Sequence, residues 1–239
     1  MEKFTVRVNG KEVYFGTEDS YSYNWFYPRY RDNGLHERKV TELILENCKR
    51  AKSFVDIGAH IGFFSCVVAK TFPKIDVHSF EMERQVFELL QKNVELNKTE
   101  NIKLYNYAIS DSKKTVYYEK SQQPNEKTSL CKKNDKSVST KSIALDDLGF
   151  VPDVVKIDVE GTELDVLKGM SKVLSRVKAV FIEIHPELYK RNEAEKILEF
   201  LKDFRVYEIC DHRRRSDPDI IKADPEYFVY NNMLYAFSY

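Results

Sequence analysis

The sequence predicts an α/β fold, a three-layer sandwich in which a mostly parallel sheet lies between two layers of helices. Three observations predict it. Short apolar runs of strand length alternate with segments of helical period from Ser53 to Lys202. Such an order implies parallel strands joined by right-handed helical crossovers. At 239 residues the chain is about 1.6 times an average domain, which gives one large domain or one domain with additions. Hydrophobic residues make up 42% and charged residues 32%, with only eight glycines and seven prolines, which excludes collagen-like, low-complexity and mostly disordered classes.

Residues 1–35 read as an appendage to a main domain at 36–239. Phe4, Val6 and Val8 alternate with polar residues, as do Val13 and Phe15, and Asn9-Gly10 separates the two runs. Both turn positions of a tight hairpin need positive φ, so this dipeptide predicts a β-hairpin. The stretch Tyr21–Tyr30, YSYNWFYPRY, is too aromatic for a free linker. It either packs against the main domain or covers the ligand-binding edge as one wall of a substrate pocket.

The main domain opens with a helix carrying Val40, Leu43, Ile44 and Cys48 on one face. Strands are then expected at Ser53–Ile57, Ile75–Glu81, Ile102–Ile109, Val154–Glu160 and Ala179–His185. Helices are expected at Phe63–Lys70, Gln85–Leu96, Glu163–Met170 and Glu193–Lys202. Phe204–Cys210 and Met233–Tyr239 have no helix between them, so they are expected to pair antiparallel. Residues 111–150 interrupt the alternation, with a short strand at Thr115–Lys120 and a polar inserted loop or hairpin at 122–137.

Lysine plus arginine (38) equals aspartate plus glutamate (38), so no overall field draws the chain to nucleic acid or an anionic membrane. Cys48, Cys66, Cys131 and Cys210 form no CxxC pair or Cys/His cluster, and are read as reduced thiols of a cytoplasmic protein. The N-terminus is charged where a signal peptide needs an apolar stretch. No apolar run approaches the roughly 20 residues of a membrane span.

Chemistry enters at the end of the first core strand. Asp56-Ile57-Gly58-Ala59-His60-Ile61-Gly62 sets D-x-G-x-x-x-G at a strand-to-helix turn. Gly58 permits a tight turn and close approach of backbone to a ligand, and Gly62 permits close packing where the helix starts. The spacing differs from the G-x-G-x-x-G of dinucleotide folds, whose second glycine admits a pyrophosphate. Glu81 ends the second strand, where an acid can accept both hydroxyls of a ribose. Loop and acid together read as a nucleoside site.

FVDIGAHIGFFS, FEMERQVFELLQKNVELN, YNYAISD, KIDVEGTELDVLKGM and FIEIH together resemble the FkbM family of S-adenosylmethionine (SAM)-dependent methyltransferases, from about Leu35 to His185. The block Lys156–Glu163 is the most specific part. The resemblance implies a class I methyltransferase fold: a Rossmann-like sheet of seven strands, order 3-2-1-4-5-7-6, binding SAM at its C-terminal edge. It implies methyl transfer to a hydroxyl of a sugar or other small molecule. Carried over by position, Asp56, Gly58, Ala59, His60, Ile61 and Gly62 form the SAM loop, and Glu81 holds the ribose. Met82 packs on the adenine, Ala108 and Ile109 line its other side, and Asp158 sits near the sulfonium. The family usually has asparagine where this chain has His60. A nucleic-acid or protein methyltransferase and a non-catalytic SAM-binding module remain the alternatives. The absence of an N-P-P-Y or D-P-P-Y motif and the balanced charge count against action on nucleic acid.

Asp158 and Glu160 end one expected strand and Glu183 and His185 the next, which brings three carboxylates and an imidazole to the edge where such folds bind ligands. His185, with a reference pKa of about 6.5, is the first candidate for the base that takes the acceptor's proton. Asp158 and Glu160 would shape the site around it, and Asp158 is the second candidate for the base. Alternatively His185 bonds only backbone before Pro186, Glu160 orients the turn or caps the next helix, and Glu183 is a buried acceptor. Lys156 either neutralises the cluster or forms an internal ion pair. No metal is expected, although such carboxylates suit Mg²⁺. Glu37 either touches SAM or acceptor or caps a helix, and Arg213–Arg215 form a solvated tip or a phosphate contact.

Overall fold

A computed structural model describes residues 3–31, 35, 37–120, 128–185, 193–210, 217–224 and 233–238. Arg213–Arg215 and residues 122–127 of the expected insertion lie outside the described residues. Along the chain run β1 (Lys3–Val8), β2 (Lys11–Gly16), a π-helical turn (Ser22–Phe26), α1 (Tyr27–Tyr30), α2 (Arg38–Cys48), β3 (Ser53–Ile57), α3 (Phe63–Thr71), β4 (Asp76–Phe80), α4 (Arg84–Asn97) and β5 (Ile102–Tyr105). Then come β6 (Ala108–Ile109), β7 (Lys114–Glu119), β8 (Leu130–Cys131), β9 (Ser137–Ile143), β10 (Val154–Ile157), α5 (Glu163–Gly169), β11 (Ala179–Glu183), α6 (Glu193–Phe200), β12 (Arg205–Ile209), β13 (Ile220–Lys222) and β14 (Met233–Phe237).

β1 and β2 form the expected hairpin, with Asn9 (φ 49°) and Gly10 (φ 71°) supplying the turn. Its inner face carries Val6, Val8, Val13 and Phe15, all buried. Phe15 and Phe26 both meet Phe63 at the start of α3, at ring distances of 6.1 and 6.2 Å, and Tyr30 meets it at 4.6 Å. Burying a phenylalanine is worth roughly 1.5–3 kcal/mol, so these rings fasten the hairpin and the aromatic segment to the main domain. The outer edge of β2 pairs with helix side chains in place of a strand. Asn97 accepts from Tyr14 N (2.9 Å) and donates to Tyr14 O (2.7 Å). Asn93 accepts from Gly16 N (3.0 Å) and donates to Ile61 O (2.9 Å).

The main sheet has eight strands in the order β13-β12-β14-β11-β10-β3-β4-β5, one more than the seven expected. β5, β4, β3, β10 and β11 run parallel, and β14 enters antiparallel between β11 and β12. With β13 set aside, the remaining strands follow the order 3-2-1-4-5-7-6. β13 was missed because it is three residues long and exposed throughout, so it carries no apolar alternation. Both faces of the central strands are buried, as parallel sheets require. Phe54, Val77 and Phe181 face one core with α2, α3 and α4, while Val55, Ile57, Val155 and Ile182 face another with α5 and α6.

Two expectations need correction. The strand placed at Ile102–Ile109 breaks in two. The Asn106 side chain donates to the carbonyls of Glu81 (2.8 Å) and Met82 (3.1 Å), turning the chain so that β6 leaves the main sheet. β6 joins a second sheet, β6-β9-β7-β8, so the interruption at 111–150 is an accessory sheet built partly from the segment read as an inserted loop or hairpin, whose β8 pairs antiparallel with β7. The strands placed at Val154–Glu160 and Ala179–His185 also end early, at Ile157 and Glu183. Strand alternation therefore does not bring Glu160 to the site. Left-handed backbone at Glu160 (φ 53°) and positive φ at Gly161 (100°) do so.

Candidate active site

The glycine loop follows β3 at the C-terminal edge of the sheet. Gly58 N and Ala59 N both donate to Phe80 O, at 3.0 and 2.9 Å, tying the loop to the end of β4. A Cβ at Gly58 (φ +74°) would lie 1.7 Å from Asp158 O. The close approach made by Gly58 is thus to the chain's own backbone. Gly62 (φ +87°) packs on α4, where a Cβ would lie 2.4 Å from Leu90 Cδ1. His60 is left-handed as well (φ 55°), a conformation asparagine adopts readily. Asp56 fastens the loop from below: its buried Oδ2 accepts from Ser65 Oγ (2.6 Å) and Ser65 N (3.1 Å). Burial raises its pKa, with Lys156 opposing.

Glu81 stands just past β4. Its Oε2 accepts from His60 N (2.9 Å) and its Oε1 from Glu83 N (2.8 Å). Each carboxylate oxygen has more than one acceptor site, so the Glu81 carboxylate can still accept from a vicinal diol. Burial pushes the Glu81 carboxyl up to about 7. Met82 is half-buried beside it, and Ala108 and Ile109 are buried in β6. The loop, the acid and these apolar residues fit the nucleoside part of SAM.

The predicted ionisable cluster forms. His185 is fully buried, with Nε2 3.1 Å from Glu160 Oε2, 3.7 Å from Glu183 Oε1 and 3.9 Å from Asp158 Oδ1. Its partners are therefore side-chain carboxylates, beyond the backbone bonding allowed as an alternative. Burial disfavours the charged ring, but the Glu163 hydrogen bond and the Asp158 and Glu160 charges outweigh it and hold the pKa above its ordinary value. Lys156, also buried, donates to Asp158 Oδ2 (3.2 Å). Burial opposes its charge, yet Asp158 first, then Asp56, Glu37 and Glu183, hold its pKa above that of an ordinary lysine. Glu37 makes no side-chain cap on α2, and α5 is entered through Thr162, so Glu160 does not cap it. Asp158, Glu183 and His185 each offer an atom within 4.8 Å of the others, a spacing a cation could bridge. Lys156, bonded to Asp158, already places positive charge there.

Three residues of this region were missed. Glu163, read only as a helix start, bonds His185 Nδ1. Ser129 Oγ donates to Glu160 O (2.6 Å) and Thr128 Oγ1 to Glu83 Oε2 (2.5 Å), so the accessory sheet reaches back over the site from an insertion without any motif. Tyr21 OH lies 3.3 Å from His60 Nδ1, with the rings 4.6 Å apart. This puts Tyr21 on the glycine loop, while Phe26 and Tyr30 further along the segment pack against Phe63 of the main domain.

The mixed sheet, with β14 antiparallel beside β11 and the glycine loop after β3, defines a class I methyltransferase fold. A solved FkbM methyltransferase from Methylobacillus flagellatus shares that fold, with a TM-score of 0.53 at 17% identity, covering 78% of this chain and 44% of that one. The chain belongs to the FkbM methyltransferase family: the model of the methyltransferase FkbM domain matches residues 56–209. The hexuronic acid methyltransferase AglP of Haloferax volcanii is 34% identical over 154 residues, 62% of this chain and 62% of that protein. A protein named Methyltransferase 1, from Beauveria bassiana, is 26% identical over 168 residues, 54% of this chain and 65% of its own length. The chain thus spans just under two thirds of the length of these relatives.

Proposed function

We propose that this chain is a SAM-dependent O-methyltransferase acting on a hydroxyl of a carbohydrate, or of another small molecule, in the cytoplasm. The observation that carries the reading is the convergence of Asp158, Glu160, Glu183 and His185 beside the glycine loop. Similarity to a hexuronic acid methyltransferase supports a sugar acceptor. Among the described residues no helix is long and apolar enough to cross a membrane.

SAM, when bound, supplies an electrophilic methyl group. Asp56, Gly58, Ala59, His60, Ile61 and Gly62 form its loop, and Glu81 accepts hydrogen bonds from the ribose. Met82, Ala108 and Ile109 are the residues that would hold the adenine. Asp158 complements the sulfonium charge. Asp158 and Glu160 are the partly exposed members of the cluster, so they meet the acceptor first. The hydroxyl proton passes across the Glu160 contact to His185 Nε2, the final proton acceptor. Holding the reactants in line can supply roughly 7–11 kcal/mol, and the base a further ~10²–10⁴-fold. Tyr21, at the start of the aromatic segment and against His60, forms one wall of the acceptor pocket, its ring suited to the apolar face of a sugar.

Incubation with methyl-labelled SAM and panels of glycans, uronic acids and hydroxylated metabolites tests the reading. A labelled methyl ether is expected. Label found only on nucleic acid or protein, or no transfer at all, would replace it with the corresponding alternative.

A further inference from the structure

Glu163 takes no part in the mechanism above, yet its carboxylate is fully buried against the base. Its Oε1 accepts from His185 Nδ1 at 2.9 Å and from Gly161 N at 3.1 Å. A carboxylate can only accept, so the facing ring nitrogen must carry the hydrogen. Nε2 also faces carboxylates, those of Glu160, Glu183 and Asp158, but it makes no hydrogen bond among the described residues, so in the neutral ring Nε2 is the nitrogen left bare. The second bond fixes the turn at Glu160 and Gly161, whose positive φ values bring Glu160 to the ring. One oxygen thus sets both partners of the Glu160–His185 contact. A buried acid at the first turn of a helix also gains from the helix dipole. That gain needs no contact with an imidazole, so it leaves the bond to Nδ1 unexplained.

We infer that Glu163 is a positioning residue of the reaction: it holds His185 in the Nδ1–H tautomer and turns Nε2 toward Glu160 and the acceptor. The inference rests on the reading of His185 as the base. Among the described residues the charged groups facing the ring are Glu183 on its own strand, Asp158 and Glu160 after β10, and Glu163 on α5. Lys156 is linked to the ring through Asp158, its ion-pair partner, and through Glu183.

Nitrogen-15 correlation spectra of the full chain report the tautomer and titration of each of the five histidines, and His185→Asn assigns the relevant signals. The neutral ring is expected as Nδ1–H, a result that needs no Glu163 variant to fold. In Glu163→Gln the His185 titration should fall by about 1–3 pH units, the usual effect of removing an adjacent opposite charge. The pH–kcat profile should move down with it, while KM for SAM stays within about twofold. An Nε2–H ring, or a titration unmoved in folded Glu163→Gln, overturns the role of Glu163 and leaves the base reading standing. A wild-type chain that methylates no hydroxyl overturns the base reading and the inference with it.

Discussion

Gly58 and Asp158 are in backbone contact across the site: a Cβ on the glycine would stand 1.7 Å from the aspartate's carbonyl oxygen. The loop after β3 and the loop after β10 are therefore built as one piece. Gly58→Ala must push them apart or leave the left-handed region. Overpacking costs about 1–3 kcal/mol and a left-handed alanine about 1–2 kcal/mol more. Urea unfolding should show a loss of that size, and calorimetry a weakened SAM affinity. Wild-type stability and affinity in the variant would rule out the contact.

Glu81 provides a second test. Glu81→Ala should weaken SAM binding by about 1–3 kcal/mol, the cost of removing hydrogen bonds to a charged acceptor. Burial lifts the wild-type carboxyl to about 7, and the ionised form accepts from hydroxyls roughly twice as strongly as the neutral one. Wild-type affinity should therefore rise between about pH 6 and pH 8, and the alanine variant should lose that dependence. Calorimetric titrations of both chains across this range decide it. Equal affinities would remove Glu81 from the ribose site.

His185 makes the sharpest kinetic prediction. Its folded pKa is raised, so the ring stays protonated above its ordinary value of 6.5 and the basic form is populated only at higher pH. Turnover should rise with pH through a midpoint above that value. The cluster's stabilising charge contribution runs the other way: present at low pH, it is lost as pH rises through the folded pKa. His185→Ala should lower kcat by about 10²–10⁴-fold with SAM affinity nearly unchanged. A variant that keeps its kcat would pass the role of base to Asp158.

Chelation tests the reading without metal. Lys156 lies 3.2 Å from Asp158 and the His185 ring 3.1 Å from Glu160, so Asp158 already has a cationic partner and Glu160 a ring nitrogen beside it. Dialysis against EDTA should leave kcat unchanged. Loss of turnover restored by Mg²⁺ would show that the cluster works as a cation site.

What the sequence revealed, and what it hid, divides by range. The hairpin was legible because Asn9-Gly10 must take positive φ wherever it sits between alternating strands. The glycine loop was legible because strand, turn and helix are contiguous from Ser53 to Thr71. The cluster was legible in outline, since Asp158 and His185 leave adjacent parallel strands. Its details were not. Glu163 meets His185 across 22 residues, and the left-handed turn at Glu160 follows an apolar run that reads as continuous strand. The accessory sheet was hidden because β9, SVSTKSI, is polar and mostly half-buried, so it lacks the signature of a core strand.

Asn93 has a consequence for how the chain could be shortened. Its one amide grips Gly16 of the hairpin and Ile61 of the glycine loop together. The first sixteen residues act as a splint: they carry no reacting group, yet they brace the loop through Asn93. A chain trimmed to begin at residue 36 would keep all of the proposed catalytic residues. It would lose this brace and lay bare Phe63, which Phe15, Phe26 and Tyr30 now cover. The smallest working unit therefore starts at the hairpin, ahead of the first residue with a chemical role.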